Sequence, residues 1–274
     1  MNYSIHTFEL RLTILPYEIS NIRDWLYSKH IPIKEGDRYL SILQYSESGI
    51  RIRFFQDSYK PHFKFIVNLR EVLETGNLVD LIDKDNFDWA LDKAYEMISG
   101  FLEGKYNTYH LKLCRIDLCA NIDVGSQEAV DTYLRLLNYK SGSRNGYKIQ
   151  NINSPNGYCK NEFRAENKRE GIAVSIYNKK AQLLDIRREK EAERAEGILR
   201  VEVQLKRRST VKQFFPGSSI NVAVKRAFLH SRETIAYILD KAITLGYYYK
   251  LSDAIELVTT NVSKKKCGSV WCVC

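Results

Sequence analysis

Three segments of the chain alternate apolar and polar residues at period two, the spacing of a strand with one buried face. Residues 109–123 set Ile116, Leu118, Ala120 and Ile122 against Arg115, Asp117, Cys119 and Asn121. Residues 171–178 set Ile172, Val174 and Ile176 against Ala173, Ser175 and Tyr177, and residues 198–206 set Leu199, Val201, Val203 and Leu205 against Arg200, Glu202, Gln204 and Lys206. The opening run, His6 to Leu15, alternates in the same way until Pro16 ends it. Strands at 41–45, 49–55 and 62–69 follow, separated by polar turns. Helical spacing appears at 18–29, at 85–103 through Phe87, Leu91, Ala94, Tyr95, Ile98 and Leu102, and at 126–137 behind a Ser126 cap with Glu128 in the first turn. A charged helix over 179–196 loses its apolar residues after Ile186, and 221–262 is mainly helical. Residues 138–171 are polar, rich in Asn and Gly, and read as a long basic loop.

These elements predict an α+β protein: antiparallel-rich sheets with flanking helices and a helical C-terminal extension. Three units are expected, an N-terminal α+β unit (1–104), a catalytic sheet (105–212) and the extension (213–274), which ends irregularly in Cys267, Cys272 and Cys274. With 274 residues, 44% of them hydrophobic, the chain can bury a sizeable core. It has no run of the ~18 apolar residues a membrane span needs and no signal-like N-terminus, so the expectation is a cytoplasmic protein with no membrane partner. The six cysteines make no disulfide framework in a chain this long, and the terminal three lack the spacing and the fourth ligand of a zinc site.

Charge sharpens the picture. The net charge of +9 is unevenly placed: residues 1–104 carry 12 basic and 16 acidic side chains, 105–180 carry 13 and 7, and 198–274 carry 13 and 5. A polyanion is the expected partner, bound across residues 105–212 and the C-terminal helices, with Lys206, Arg207 and Arg208 prominent and the acidic first 104 residues outside the main phosphate-binding surface.

The polar faces of the three strands carry Arg115/Asp117/Asn121, Ser175/Tyr177 and Arg200/Glu202/Gln204. Each alone is ordinary: Arg115 and Asp117 make an exposed ion pair, Glu202 flanked by Arg200 and Gln204 is a common solvent-facing pattern, and Tyr177 is one of 18 tyrosines. Together on one sheet they would suit phosphodiester transesterification. Two carboxylates hold a hard divalent cation, arginines grip phosphate, and a tyrosine hydroxyl attacks phosphorus.

The segments Arg115-Ile116-Asp117-Leu118, Val174-Ser175-Ile176-Tyr177-Asn178-Lys179-Lys180 and Leu199-Arg200-Val201-Glu202-Val203-Gln204-Leu205-Lys206-Arg207 resemble the three signature blocks of rolling-circle plasmid and phage replication initiators, which are related to the relaxases of conjugative elements. The resemblance covers residues 105–210 and implies a nickase that starts rolling-circle replication by linking Tyr177 to a 5′ phosphate. It implies Asp117, Glu202 and Asp123 as ligands of Mg²⁺ or Mn²⁺, with Asp123 replacing the acid that the family has where Asn121 stands. Arg115, Arg200, Lys179 and Lys180 are implied to bind phosphate. The implied partners are single-stranded or hairpin origin DNA, a host helicase and a second copy of the chain. A sister class binds its metal with a His-hydrophobic-His strand, and here only His62 of Pro61-His62-Phe63-Lys64-Phe65 matches. The rival reading is a decayed initiator that binds origin DNA as a non-catalytic regulator.

Overall fold

The computed structural model describes residues 2–56, 59–74, 77–103, 105–142, 145–149 and 161–245. The Cys-rich end and the part of the expected 221–262 helix beyond 245 lie outside the described residues.

The strands are β1 (Asn2–Thr13), β2 (Ile33–Glu35), β3 (Leu40–Ile42), β4 (Ile50–Phe55), β5 (His62–Val67), β6 (Lys112–Asp123), β7 (Ser141–Gly142), β8 (Lys148–Ile149), β9 (Glu162–Asn167), β10 (Ile172–Asn178), β11 (Ile198–Leu205) and β12 (Thr244–Leu245). The helices are α1 (Ile19–Ser28), α2 (Leu69–Leu73), α3 (Lys84–Leu102), α4 (Gln127–Lys140), α5 (Lys179–Asp185), α6 (Glu189–Glu193), α7 (Arg208–Phe214), α8 (Ile220–Leu229) and α9 (Ser231–Ala242). Ten strands form one sheet in the order β2-β3-β4-β5-β1-β6-β11-β10-β9-β8, and every pairing in it is antiparallel. The fold is thus α+β, with antiparallel pairing throughout. β1 lies between β5 and β6, so one sheet and one core contain strands from both the expected 1–104 and 105–212 units.

The alternation read from sequence separates the two faces of this sheet. Phe8, Leu10, Leu12, Phe63, Phe65, Leu118, Val174 and Val203 are buried on one face, where α1, α3, α4, α8 and α9 supply Ile22, Leu26, Leu91, Ile98, Val130, Leu134, Val224 and Ile238 to the same core. Tertiary burial of these stripes, more than propensity, holds the helices. A second, small cluster of Val79, Leu183, Ala192 and Ala195 joins α5 and α6 to the segment after α2.

Several elements differ from the sequence reading. β9 falls inside the expected 138–171 loop; it alternates, but Phe163 and Ala165 are its only apolar residues, too few to register as a period. The expected 179–196 helix is two short helices separated by Arg187 at φ 59, where the apolar period ends. The 109–123 strand begins only at Lys112, because Asn107 caps a 3₁₀ turn over Thr108–His110.

Candidate active site

Residues directly opposite each other in an antiparallel ladder share a face. The register therefore answers what alternation alone leaves open. Tyr177 stands opposite Arg200 and Arg200 opposite Asn121; Ser175 opposite Glu202 and Glu202 opposite Cys119; Gln204 opposite Asp117. The three polar strand faces are one face of one sheet.

On it, Tyr177 and Glu202 are diagonal neighbours, the relation in which long side chains of adjacent strands meet. The Tyr177 hydroxyl donates to Glu202 Oε1 at 2.6 Å. Burial and the charge of Glu202 push the phenol well above its ordinary pKa. At neutral pH Tyr177 is therefore a phenol whose proton is already directed at a carboxylate.

Asp117 is buried and tightly held. Arg115 donates Nε to Oδ1 and a terminal nitrogen to Oδ2, both at 2.7 Å, and the Thr7 hydroxyl donates to Oδ2 at 2.7 Å. Burial raises the Asp117 pKa, and the Arg115 guanidinium opposes that rise. This bidentate pair occupies both carboxylate oxygens. Arg115, expected to grip phosphate, is spent in large part on Asp117.

His6 is a further neighbour of Glu202 that the sequence does not mark. Simple alternation sends His6 inward with Phe8, yet the β1/β6 register shifts between Ile5 and Thr7. The bulge lets His6 and Thr7 both reach the polar face, and His6 Nε2 comes within 3.7 Å of Glu202 Oε1. Burial, with the nearby Arg200 and Lys179 charges, lowers the His6 pKa to about 3, so the ring is neutral. No signal in the sequence marks a bulge here beyond the polar His6-Thr7 pair.

The remaining candidates sit as follows. Arg200 is fully buried; it donates Nε to Asn121 Oδ1 at 2.8 Å and its terminal nitrogens to the carbonyls of Leu78 and Val79, while Asn121 also donates to the Val79 carbonyl. Expected to bind phosphate, it instead ties the 78–79 segment onto the sheet. Lys179 is also buried, bonded to Gln182 Oε1 at 2.8 Å, and burial beside Arg200 lowers its pKa to about 7. Lys180 pairs with Glu196, and Lys206 with Glu166 at 2.8 Å. Arg207 donates to the carbonyls of Lys168 and Arg169 at the turn between β9 and β10 and lies directly over Gly171, whose φ of 68° favours glycine. Arg208 is exposed on a groove of about 470 Å³ shared with Tyr109, Lys112 and Lys212. His62 stacks on Phe55, with Nδ1 2.8 Å from the Lys60 carbonyl. It lies three strand spacings from β11, about 14 Å across the sheet.

The expected cation set does not assemble. Asp123 is six residues along β6 from Asp117, about 20 Å at strand rise, and accepts from the Gly125 amide at 2.8 Å. With Asp117 closed by Arg115, Glu202 is the remaining carboxylate and His6 its nearest potential co-ligand. Among the described residues no three His, Cys, Asp or Glu side chains converge as a metal-holding group.

No family model matches this chain, and no curated protein does. Among solved structures, a rolling-circle replication initiator protein from Geobacillus stearothermophilus is similar at 12% identity over 89% of this chain and 86% of that one, with a TM-score of 0.45.

Proposed function

We propose that this chain is a DNA strand-nicking and joining enzyme of the kind that initiates rolling-circle replication, with Tyr177 as nucleophile and Glu202 as its base. The observation that carries the reading is the 2.6 Å hydrogen bond from the Tyr177 hydroxyl to Glu202, on a sheet face that also carries Arg115, Arg11 and Lys64.

In this reaction Tyr177 Oη attacks a backbone phosphorus as its proton passes to Glu202. The bond from phosphorus to the 3′ oxygen breaks, and that oxygen takes a proton to become a 3′ hydroxyl. The 5′ phosphate stays on the tyrosine. One phosphodiester replaces another, so no oxidant or energy source is required, and the same steps reversed rejoin the strand. Arg115 and Thr7 keep Asp117 fixed one row from Glu202; Arg200 and Asn121 fix the strand register beneath the nucleophile. The expected ligand set does not fit Mg²⁺ or Mn²⁺, because Asp117 is closed by Arg115 and Asp123 is remote, which leaves Glu202 alone at Tyr177.

The test uses single-stranded oligonucleotides from a randomised library, with and without Mn²⁺. A 3′-labelled fragment should remain on the protein through a denaturing gel, a 5′-labelled fragment should be released, and Tyr177→Phe should do neither. Salt-sensitive binding without any adduct would instead support the non-catalytic regulator, a reading favoured by the closure of Asp117 on Arg115.

A further inference from the structure

The polar face does not end at the tyrosine. Following the register away from β10, Arg115 stands opposite Glu9, Lys112 opposite Arg11, Arg11 opposite Lys64, and Lys64 opposite Arg53; Arg51 is two residues from Arg53 on β4 and shares its face. Four of these six cations come from the net acidic first 104 residues. Glu9 is shared by Lys64 at 3.1 Å and Arg11 at 4.0 Å, and Asp117 is matched by Arg115. Arg51, Arg53 and Lys112 make no ion pair among the described residues, and none of the three is buried.

Aromatic rings close the far end of this track. Phe55 follows Arg53 on the same face and stacks on His62 with centroids 4.8 Å apart, while Tyr39 lies 5.1 Å from Phe55. The Arg53 guanidinium sits 4.6 Å from the Tyr39 ring and Lys64 Nζ 5.3 Å from Phe55. A cationic track interleaved with half-exposed rings is the surface that holds unpaired bases and their phosphates.

We infer that a single DNA strand leaving Tyr177 runs across β11, β6, β1 and β5 to β4, its phosphates on Arg51, Arg53 and Lys112 and an unpaired base on Phe55. This rests on the nicking reading above for the identity of the ligand. Five strand spacings across the sheet, about 24 Å, and about 35 Å along β1 from the row of Tyr177 and Asn2 to the row of Phe55 and Thr13 set a path of roughly 40 Å, within the roughly 4- to 16-nucleotide footprints of single-strand binders. Glu9, the acid of the first 104 residues that the register places in this track, is already held by Lys64 and Arg11.

Binding of a labelled mixed-sequence single strand to the full-length Tyr177→Phe protein, by fluorescence anisotropy over a salt series, tests the path without requiring cleavage. Replacing Arg51, Arg53 and Lys112 together by Gln should lower the slope of log K against log salt by about 2, since each lost single-strand phosphate contact removes roughly 0.7. Replacing Lys84, Arg135 and Arg232 on the helical side removes the same charge and should change the slope far less. Phe55→Leu, which keeps apolar bulk but removes the π-face, should weaken single-strand binding about fivefold to a hundredfold and leave duplex binding unchanged. Equal slopes for the two triple variants, or equal loss of single-strand and duplex binding in Phe55→Leu, would overturn the inference. Adduct formation by the protein with Tyr177 present would then still stand for the nicking reading, so the two can fail separately.

Discussion

In the proposed reaction Glu202 accepts the proton of Tyr177, and the raised pKa of that phenol makes the acceptor matter. Glu202→Gln preserves shape and a hydrogen-bond acceptor but removes the base. Single-turnover cleavage should fall by roughly 100- to 10,000-fold, the usual worth of general-base catalysis, with DNA affinity nearly constant. Lys179 gives a pH-dependent stability with a definite sign. Its pKa falls from 10.5 to about 7 on folding, so between those values the unfolded chain holds more protons and stability rises with pH. Below pH 7 both states are protonated and the cost of burying the charge is complete. The stabilisation of Lys179→Met over the parent should thus be greatest near about pH 6 and shrink toward about pH 10 in thermal melts; a constant difference would contradict the assignment. Arg200 tests position against ligand binding. Arg200→Met should cost about 2–4 kcal/mol in denaturant unfolding, because Leu78 and Val79 carbonyls and Asn121 lose a buried charged donor.

At the level of elements, what could be read from the sequence followed the strength of each apolar stripe. β6, β10 and β11 were legible because four or three inward apolar residues alternate without interruption, and α3 because its stripe spans five turns. β9 is not legible, having two inward apolar residues, and the charge patterning that continues past the break at Arg187 hides the division between α5 and α6. The candidate site divided along the same line. Tyr177, Glu202 and Asp117 could be named from their strands, whereas their meeting on one face depends on register, which is a property of pairs of strands. His6 was invisible because a β-bulge reverses its face without altering the residues around it. Arg200 was misjudged because alternation separates polar from apolar positions and cannot tell that the segment after α2 folds down to cover one row.

For the whole molecule, charge read along the chain and charge on a surface proved to be different quantities. Segment sums put the basic surface in residues 105–180 and 198–274, yet Lys206, Lys180 and Asp117's partner Arg115 spend their charge on acids within the fold. The single ten-stranded sheet instead carries Arg51 and Arg53 of the acidic first segment onto the face that holds the tyrosine. Among the described residues no helix is long and apolar enough to cross a membrane. Nicking by the proposed route requires Tyr177 to become covalently joined to DNA. Peptide mass spectrometry of the chain after reaction with a randomised single-stranded library measures this directly. A Tyr177-containing peptide carrying a 5′-phosphoryl nucleotide remnant is expected, absent in Tyr177→Phe and scarce in Glu202→Gln. Recovery of that peptide only at its unmodified mass, from protein that demonstrably binds the same strands, would contradict the proposed route.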